Sequence, residues 1–218
     1  AGPLAGKTFQ FSLIDSWEVQ FQTWTQQFRT AFQKRRGYDC LLYLPILAGH
    51  VVGNLNVSER FLHDFRHTIS DLIAENYYGH FRKLCHDNGL KLYAEAIYGG
   101  RGHPPVDVLH CNSQLDVPMR EFWVVRLNGQ SLRKIVPSVQ TSLQARAAEL
   151  FDKGVTAAEA FTSGFNFDFD FYDLKDIGDR AYCRGINQYI LHCSAHQPDD
   201  RKPGWTMGQP GMSFHRNN

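Results

Sequence analysis

The stretch SERFLHDFRHTISDLIAENYYGHFRKLCHDNGLKLYAE, Ser58 to Glu95, decides the class of fold. A helix opens near Ser58-Glu59 and carries Phe61, Phe65, Ile69, Leu72, Ile73, Tyr77, Phe81 and Leu84 on one side. That three-and-four spacing lays an apolar stripe along a helix. Asn88-Gly89 supplies the stop, and Leu90-Lys91-Leu92-Tyr93-Ala94-Glu95 is a short apolar run that ends in an acid. The order is helix, glycine, short apolar strand, then polar or acidic residues.

Outward from this stretch the same order recurs three times. Phe21, Trp24, Phe28 and Phe32 fall at helical spacing, and Lys34-Arg35-Arg36 suits the negative helix end. Gly37 then precedes a predicted strand, Leu41-Leu42-Tyr43-Leu44-Pro45-Ile46. Ser138 begins a third helix with Val139, Leu143, Ala147 and Leu150 inward, ended by Gly154 ahead of Val155-Thr156-Ala157-Ala158-Glu159. The fourth has Leu174, Ile177 and Ala181, then Gly185 and a strand from Ile186 to His192. Further strands are predicted from Phe9 to Ile14 and from Val117 to Phe122. Short strands alternating with helices of ten or more residues pair in parallel, because only a crossover returns the chain to a parallel strand. An α/β fold follows. A doubly wound sheet is the competitor, but there is no GxGxxG or Walker loop, and polar groups gather after the strands. The pattern favours a TIM-type (β/α)8 barrel, present in part, since five or six strands fall short of eight.

Composition narrows the function. The chain has 218 residues, 43% hydrophobic and 13% aromatic, enough for a sizeable core in one domain, residues 1–218. With 23 Lys and Arg against 22 Asp and Glu it has no basic field of the kind that nucleic acid or an anionic membrane attracts. No apolar run reaches the roughly 20 residues of a membrane span, so a soluble segment is expected. Cys40, Cys85, Cys111, Cys183 and Cys193 lack CxxC spacing and read mostly as buried thiols, which leaves the compartment open.

In a barrel the chemistry sits at the carboxyl ends of the strands. Four places turn acidic there: Asp15 to Glu18, Glu95, Asp116 to Trp123 with Glu121, and Glu159. One such acid is usually a helix cap or half of an ion pair. Four crowded at one mouth repel one another, an arrangement kept for a metal or for acid–base work. Trp17, Tyr93, Tyr98, Phe122, Trp123 and Phe161 stand beside them and offer ring faces for a sugar, or else for the core. His192 and His196 follow the last strand, where imidazoles can bond hydroxyl groups; a zinc role lacks HExxH and a third ligand at recognisable spacing.

Five phrases carry a resemblance over most of the chain: Asp15-Ser16-Trp17-Glu18, Lys34 to Asp39, Arg60 to Arg66, Ala158-Glu159-Ala160-Phe161-Thr162, and Pro203 to Gly208. In order and spacing they resemble the barrel of glycoside hydrolase family 106, whose members are α-L-rhamnosidases that act with inversion and use calcium at the sugar. The resemblance implies Glu18 as general acid and Glu159 as general base, with Glu95 an alternative acid or a sugar contact. Glu121 is implied as a calcium or sugar ligand, and Asp15, Trp17, Trp123, His192 and His196 as substrate contacts. Calcium takes several oxygen ligands, which suits a carboxylate-rich mouth. An inverting pair leaves room for water, with carboxyl groups about 6.5 to 9.5 Å apart, against about 5 to 5.5 Å for a retaining pair. Full members are larger, so earlier barrel strands and accessory β domains are expected as partners of this segment. A signal peptide on the full-length protein would place it in the periplasm or outside the cell. The rival readings are a retaining, galactosidase-like barrel enzyme and a noncatalytic carbohydrate-binding remnant.

Overall fold

The computed structural model describes residues 2–18, 22–96, 105–127, 130–136, 139–163, 171–202 and 204–205, with side chains outside 125–144 and 173. Phe21, Tyr98, Ser138, Pro203 and the segment 206–208, and the side chains of Val139 and Leu143, lie outside this description. Contacts divide the chain into two compact units, residues 1–92 with 96–115, and residues 93–95 with 116–218.

The first unit is mainly helical. Strand β1 (Phe11–Ile14) lies beside the opening of β2 (Lys91–Glu95), where the Lys91 N–H donates to the Gln10 carbonyl at 2.9 Å. Helix α1 (Phe28–Arg36) ends at Gly37, whose φ of 82° is the left-handed stop read from the sequence. Helix α2 (Leu55–Ile73) opens on Asn54, whose side chain accepts from the Val57 N–H at 3.0 Å. It runs through a π turn (Ala74–Gly79) into α3 (His80–Asp87), so the long predicted helix is continuous but starts three residues before Ser58. Phe28, Phe32, Phe61 and Phe65 are buried between α1 and α2, with ring centroids 5.0 to 6.2 Å apart. The Arg36 guanidinium crosses from α1 to donate to Thr68 at 2.9 Å and Asp71 at 2.6 Å.

The predicted strand at Leu41–Ile46 is instead a 3-10 helix, Cys40–Ala48. Two local features explain it. Asp39 accepts from the Leu41 N–H at 3.1 Å and so caps a helical start, and Pro45 has no N–H to give to a sheet ladder. A short helix, α4 (Val108–Ser113), is capped by Asp107, which accepts from the Leu109 and His110 amides.

The second unit carries the sheet. Its hydrogen-bonded order is β2, β3 (Val117–Leu127), β5 (Ala157–Ser163), β6 (Gln188–Leu191), all parallel; β4 (Gln130–Val136) pairs antiparallel with β3. Helices α5 (Val139–Leu150) and α6 (Phe171–Tyr182) are the crossovers to β5 and β6. On α6 Leu174, Ile177 and Ala181 are buried as their spacing predicted, against Phe122, Val124, Ala158, Ala160, Phe161 and Ile186. Leu150, expected inward, is exposed at the last turn of α5.

Register assigns the opposite face. Tyr93 pairs with Val117, Glu95 with Met119, Met119 with Ala157, Glu121 with Glu159, and Glu159 with Ile190. Paired residues share a face, so the carboxylates of three strands lie on the side away from α6. This sheet is curled. β2 and β6 are three strand steps apart, about 14 Å in a flat sheet at roughly 4.8 Å per step, yet the Tyr93 hydroxyl donates to Gln188 Oε1 at 3.0 Å. The parallel α/β arrangement expected from the sequence is present, with the curvature that a partial barrel requires.

Gly185, the stop after α6, has φ of 92°, and an added Cβ there would meet the Ala145 Cβ at 2.7 Å. Gly185→Ala therefore combines a left-handed backbone with a clash, and thermal unfolding should show a loss of about 1 to 3 kcal/mol or more. An unchanged Tm would remove this close approach of the α6 stop to α5.

Candidate active site

The candidate residues fall in both units. In the first unit, Asp15, Ser16, Trp17 and Glu18 follow β1 directly. Asp15 accepts from the Ser16 N–H at 2.9 Å, and the buried Ser16 hydroxyl donates to Glu18 Oε1 at 2.8 Å. Glu18 is exposed but not loose, since this bond fixes one carboxylate oxygen. The Trp17 ring stands edge-on to Tyr77 with centroids 4.9 Å apart. Burial, then the charge of Asp15, push the Tyr77 hydroxyl above its ordinary range, so it stays a hydrogen-bond donor. Trp17 and Tyr77 open a groove of about 360 Å3 lined also by Trp24, Phe28, Ile69 and Ile73. Apolar ring faces of this kind suit the faces of sugar rings. Sequence reading took Trp24 and Phe28 as helix-face residues and missed this groove, because Trp24 precedes the start of α1 and is 45% exposed.

In the second unit, Glu95 ends β2 and is 1% exposed. Glu159 stands in β5, half-buried. A carboxylate oxygen of each lies within 4.8 Å of the other. These strands are two steps apart, about 10 Å when flat, so the curl of the sheet makes the approach. Glu121 is half-buried on the same face, in register with Glu159, and Trp123 follows two residues on. His192, just past β6, places Nδ1 3.6 Å from Glu159 Oε1, and this nitrogen is buried with no hydrogen-bond partner among the described residues. His196 is exposed in the following loop. Burial, then the charge of Glu159, push the Cys193 thiol up, which leaves it protonated and a poor nucleophile.

The aromatic neighbours separate into two kinds. Phe122 and Phe161 belong to the core under α6, packed edge-to-face at 5.0 Å, and Tyr93 is buried with Val117, Met119 and Ala157. None of these three offers a ring face to a ligand; Trp17 and Trp123 keep partial exposure. The reason for Phe161 is local. Strict alternation would set it on the face of Glu159, but its φ of 66° and the register shift between Phe122 and Trp123 form a bulge that turns it to the helix side. Thr162 is thereby brought round to Glu159, and its hydroxyl donates to Glu159 Oε1. Sequence reading passed over Thr162, because no pattern in the sequence marks a bulge at an aromatic residue.

Comparison with known proteins gives this geometry its context. The chain is 41% identical over 217 residues to a protein of Formosa agariphila named "Putative beta-glucuronidase", covering 100% of this chain and 18% of that protein. It resembles the structure of a rhamnosidase from Novosphingobium sp. PP1Y with a TM-score of 0.79 and 34% identity, over 89% of this chain and 18% of that one. The chain thus spans less than a fifth of the length of the relatives it matches. The family model described as alpha-L-rhamnosidase matches residues 1–218, so the chain belongs to glycoside hydrolase family 106.

Proposed function

We propose that this chain forms part of the catalytic (β/α)8 barrel of an inverting glycosidase that releases terminal α-L-rhamnosyl residues. The observation that carries the reading is Glu159. It is a half-buried carboxylate on the sheet face opposite the helices, held by Thr162 and set within 4.8 Å of a second carboxylate. Family membership and the rhamnosidase neighbour support a rhamnoside as the substrate class.

In this mechanism Glu18 protonates the glycosidic oxygen as the bond to the anomeric carbon breaks. Glu159 takes a proton from the water that attacks the opposite face of the sugar. Glu95 fits the acid of this inverting pair less well than Glu18 and stands as its alternative. Its approach to Glu159 is shorter than the roughly 6.5 to 9.5 Å that leaves room for the attacking water. Glu95 is better suited to hold a sugar hydroxyl or a cation, with Asp15, Trp17, Trp123, His192 and His196 as further sugar contacts.

The donor set fits calcium. Glu95 and Glu159 are hard oxygen ligands with Glu121 on the same face, and two neighbouring carboxylates at this separation repel unless a positive charge or a proton intervenes. Glu121 and Glu95 would hold the ion, which supplies a positive charge for hydroxyl oxygens of the sugar.

One observation favours a second reading. A separation under 5 Å between Glu95 and Glu159 also resembles that of a retaining pair, and the name of the Formosa relative points to a different sugar. Hydrolysis of aryl α-L-rhamnosides by the full-length protein, followed by proton NMR of the first sugar released, separates the two. The β-anomer appears first if inversion holds; the α-anomer as first product overturns it. A matched panel with aryl β-glucuronides and β-galactosides tests the sugar, and preference for either overturns the rhamnoside assignment.

A further inference from the structure

We propose that Thr162 is a positioning residue for the carboxylate of Glu159, and that the bulge at Phe161 exists to deliver it. This inference rests on the reading of Glu159 as the general base. In a regular strand Glu159 and Phe161 would share one face, while Ala160 and Thr162 would share the other. In β5, Ala160 and Phe161 both pack into the core beneath α6, next to Leu174 and Ile177. The positive φ of Phe161, a conformation that a bulky L-residue rarely adopts, absorbs the reversal. Thr162 then pairs with Trp123 instead of Val124, and so returns to the face that carries Glu121 and Glu159.

The consequence is specific to one oxygen. Thr162, 1% exposed, donates its hydroxyl to Oε1 of Glu159, and His192 Nδ1 lies 3.6 Å from that same oxygen. Engagement of Oε1 fixes the rotation of the carboxylate and directs Oε2 as the proton acceptor. A base that must meet a water in one orientation gains from such fixing, because a small rotation misaligns the proton transfer. Backbone strain of this kind persists only where surrounding structure holds it, and it is common where a side chain is re-aimed at a working group.

The test uses the full-length protein and an aryl α-L-rhamnoside. Thr162→Val keeps the shape and deletes the donor; Thr162→Ser keeps the donor. A bond to a charged acceptor is worth roughly ten- to a hundredfold, so Thr162→Val is expected to lower kcat by about that factor with KM changed by less than about threefold. Thr162→Ser is expected to stay within about threefold of the parent in both constants. If the valine variant does not fold, Thr162→Ala makes the same deletion without the second methyl. A donor-deleted variant with parental kcat overturns the proposal. So does a serine variant as impaired as the valine one, or a loss confined to KM. Glu159→Gln measured alongside distinguishes the failures: parental turnover there overturns the base assignment itself, whereas an inactive Glu159→Gln with an unaffected Thr162→Val overturns only the positioning role.

Discussion

Glu159→Gln is expected to lower kcat of the full-length protein on an aryl α-L-rhamnoside by about two to four orders of magnitude, the range that a positioned general base contributes. The substitution keeps the size of the side chain and an oxygen that Thr162 can bond, so the fold around β5 should survive. It removes the lone pair and negative charge that take the proton from water. Binding of free sugar by calorimetry is expected to change little, because glutamine still accepts a hydrogen bond from a hydroxyl. A variant that retains ordinary turnover would remove Glu159 from the chemistry, and one that loses sugar binding with kcat intact would recast it as a substrate ligand.

Glu18→Gln carries the second large effect and has a different signature. A general acid matters most where the departing oxygen is a poor leaving group. For a disaccharide substrate kcat/KM should fall by about two to four orders of magnitude. For an aryl rhamnoside with a strongly acidic phenol the loss should shrink to about tenfold or less, since that phenolate departs without protonation. Ser16 holds one oxygen of Glu18, so the acid is presented by a fixed loop directly after β1. Equal losses on both substrates would contradict proton donation to the leaving group. In that case Glu95, the other candidate at a strand end, becomes the residue to replace.

Much of the framework was legible because it depends on near neighbours in the sequence. Gly37 and Gly185 stop helices through their own backbone freedom, and Leu174, Ile177 and Ala181 lie on one side of α6 through the helical period. Where one local signal opposed another, reading failed. Leu41 to Ile46 has strand composition, but Asp39 and Pro45 decided for a 3-10 helix. Strand β4 was missed because its pairing with β3 is antiparallel and breaks the alternation of helix and strand. The candidate acids were legible as acids at strand ends: Glu95 closes β2 and Asp15 follows β1. Their grouping was not.

What the sequence by itself determined is the alternation of helices with short strands, the glycine stops, the family likeness and the set of acids from which a site can be drawn. Tertiary structure decided which of them meet. Glu95 and Glu159 are 64 residues apart and come within 4.8 Å only because the sheet between β2 and β5 is curled. Thr162 rather than Phe161 reaches Glu159 only because the strand bulges between them. Curvature and register are set by the pairing of strands remote in the chain, and a slip of one residue moves a side chain to the opposite face. No local period of the sequence contains that information.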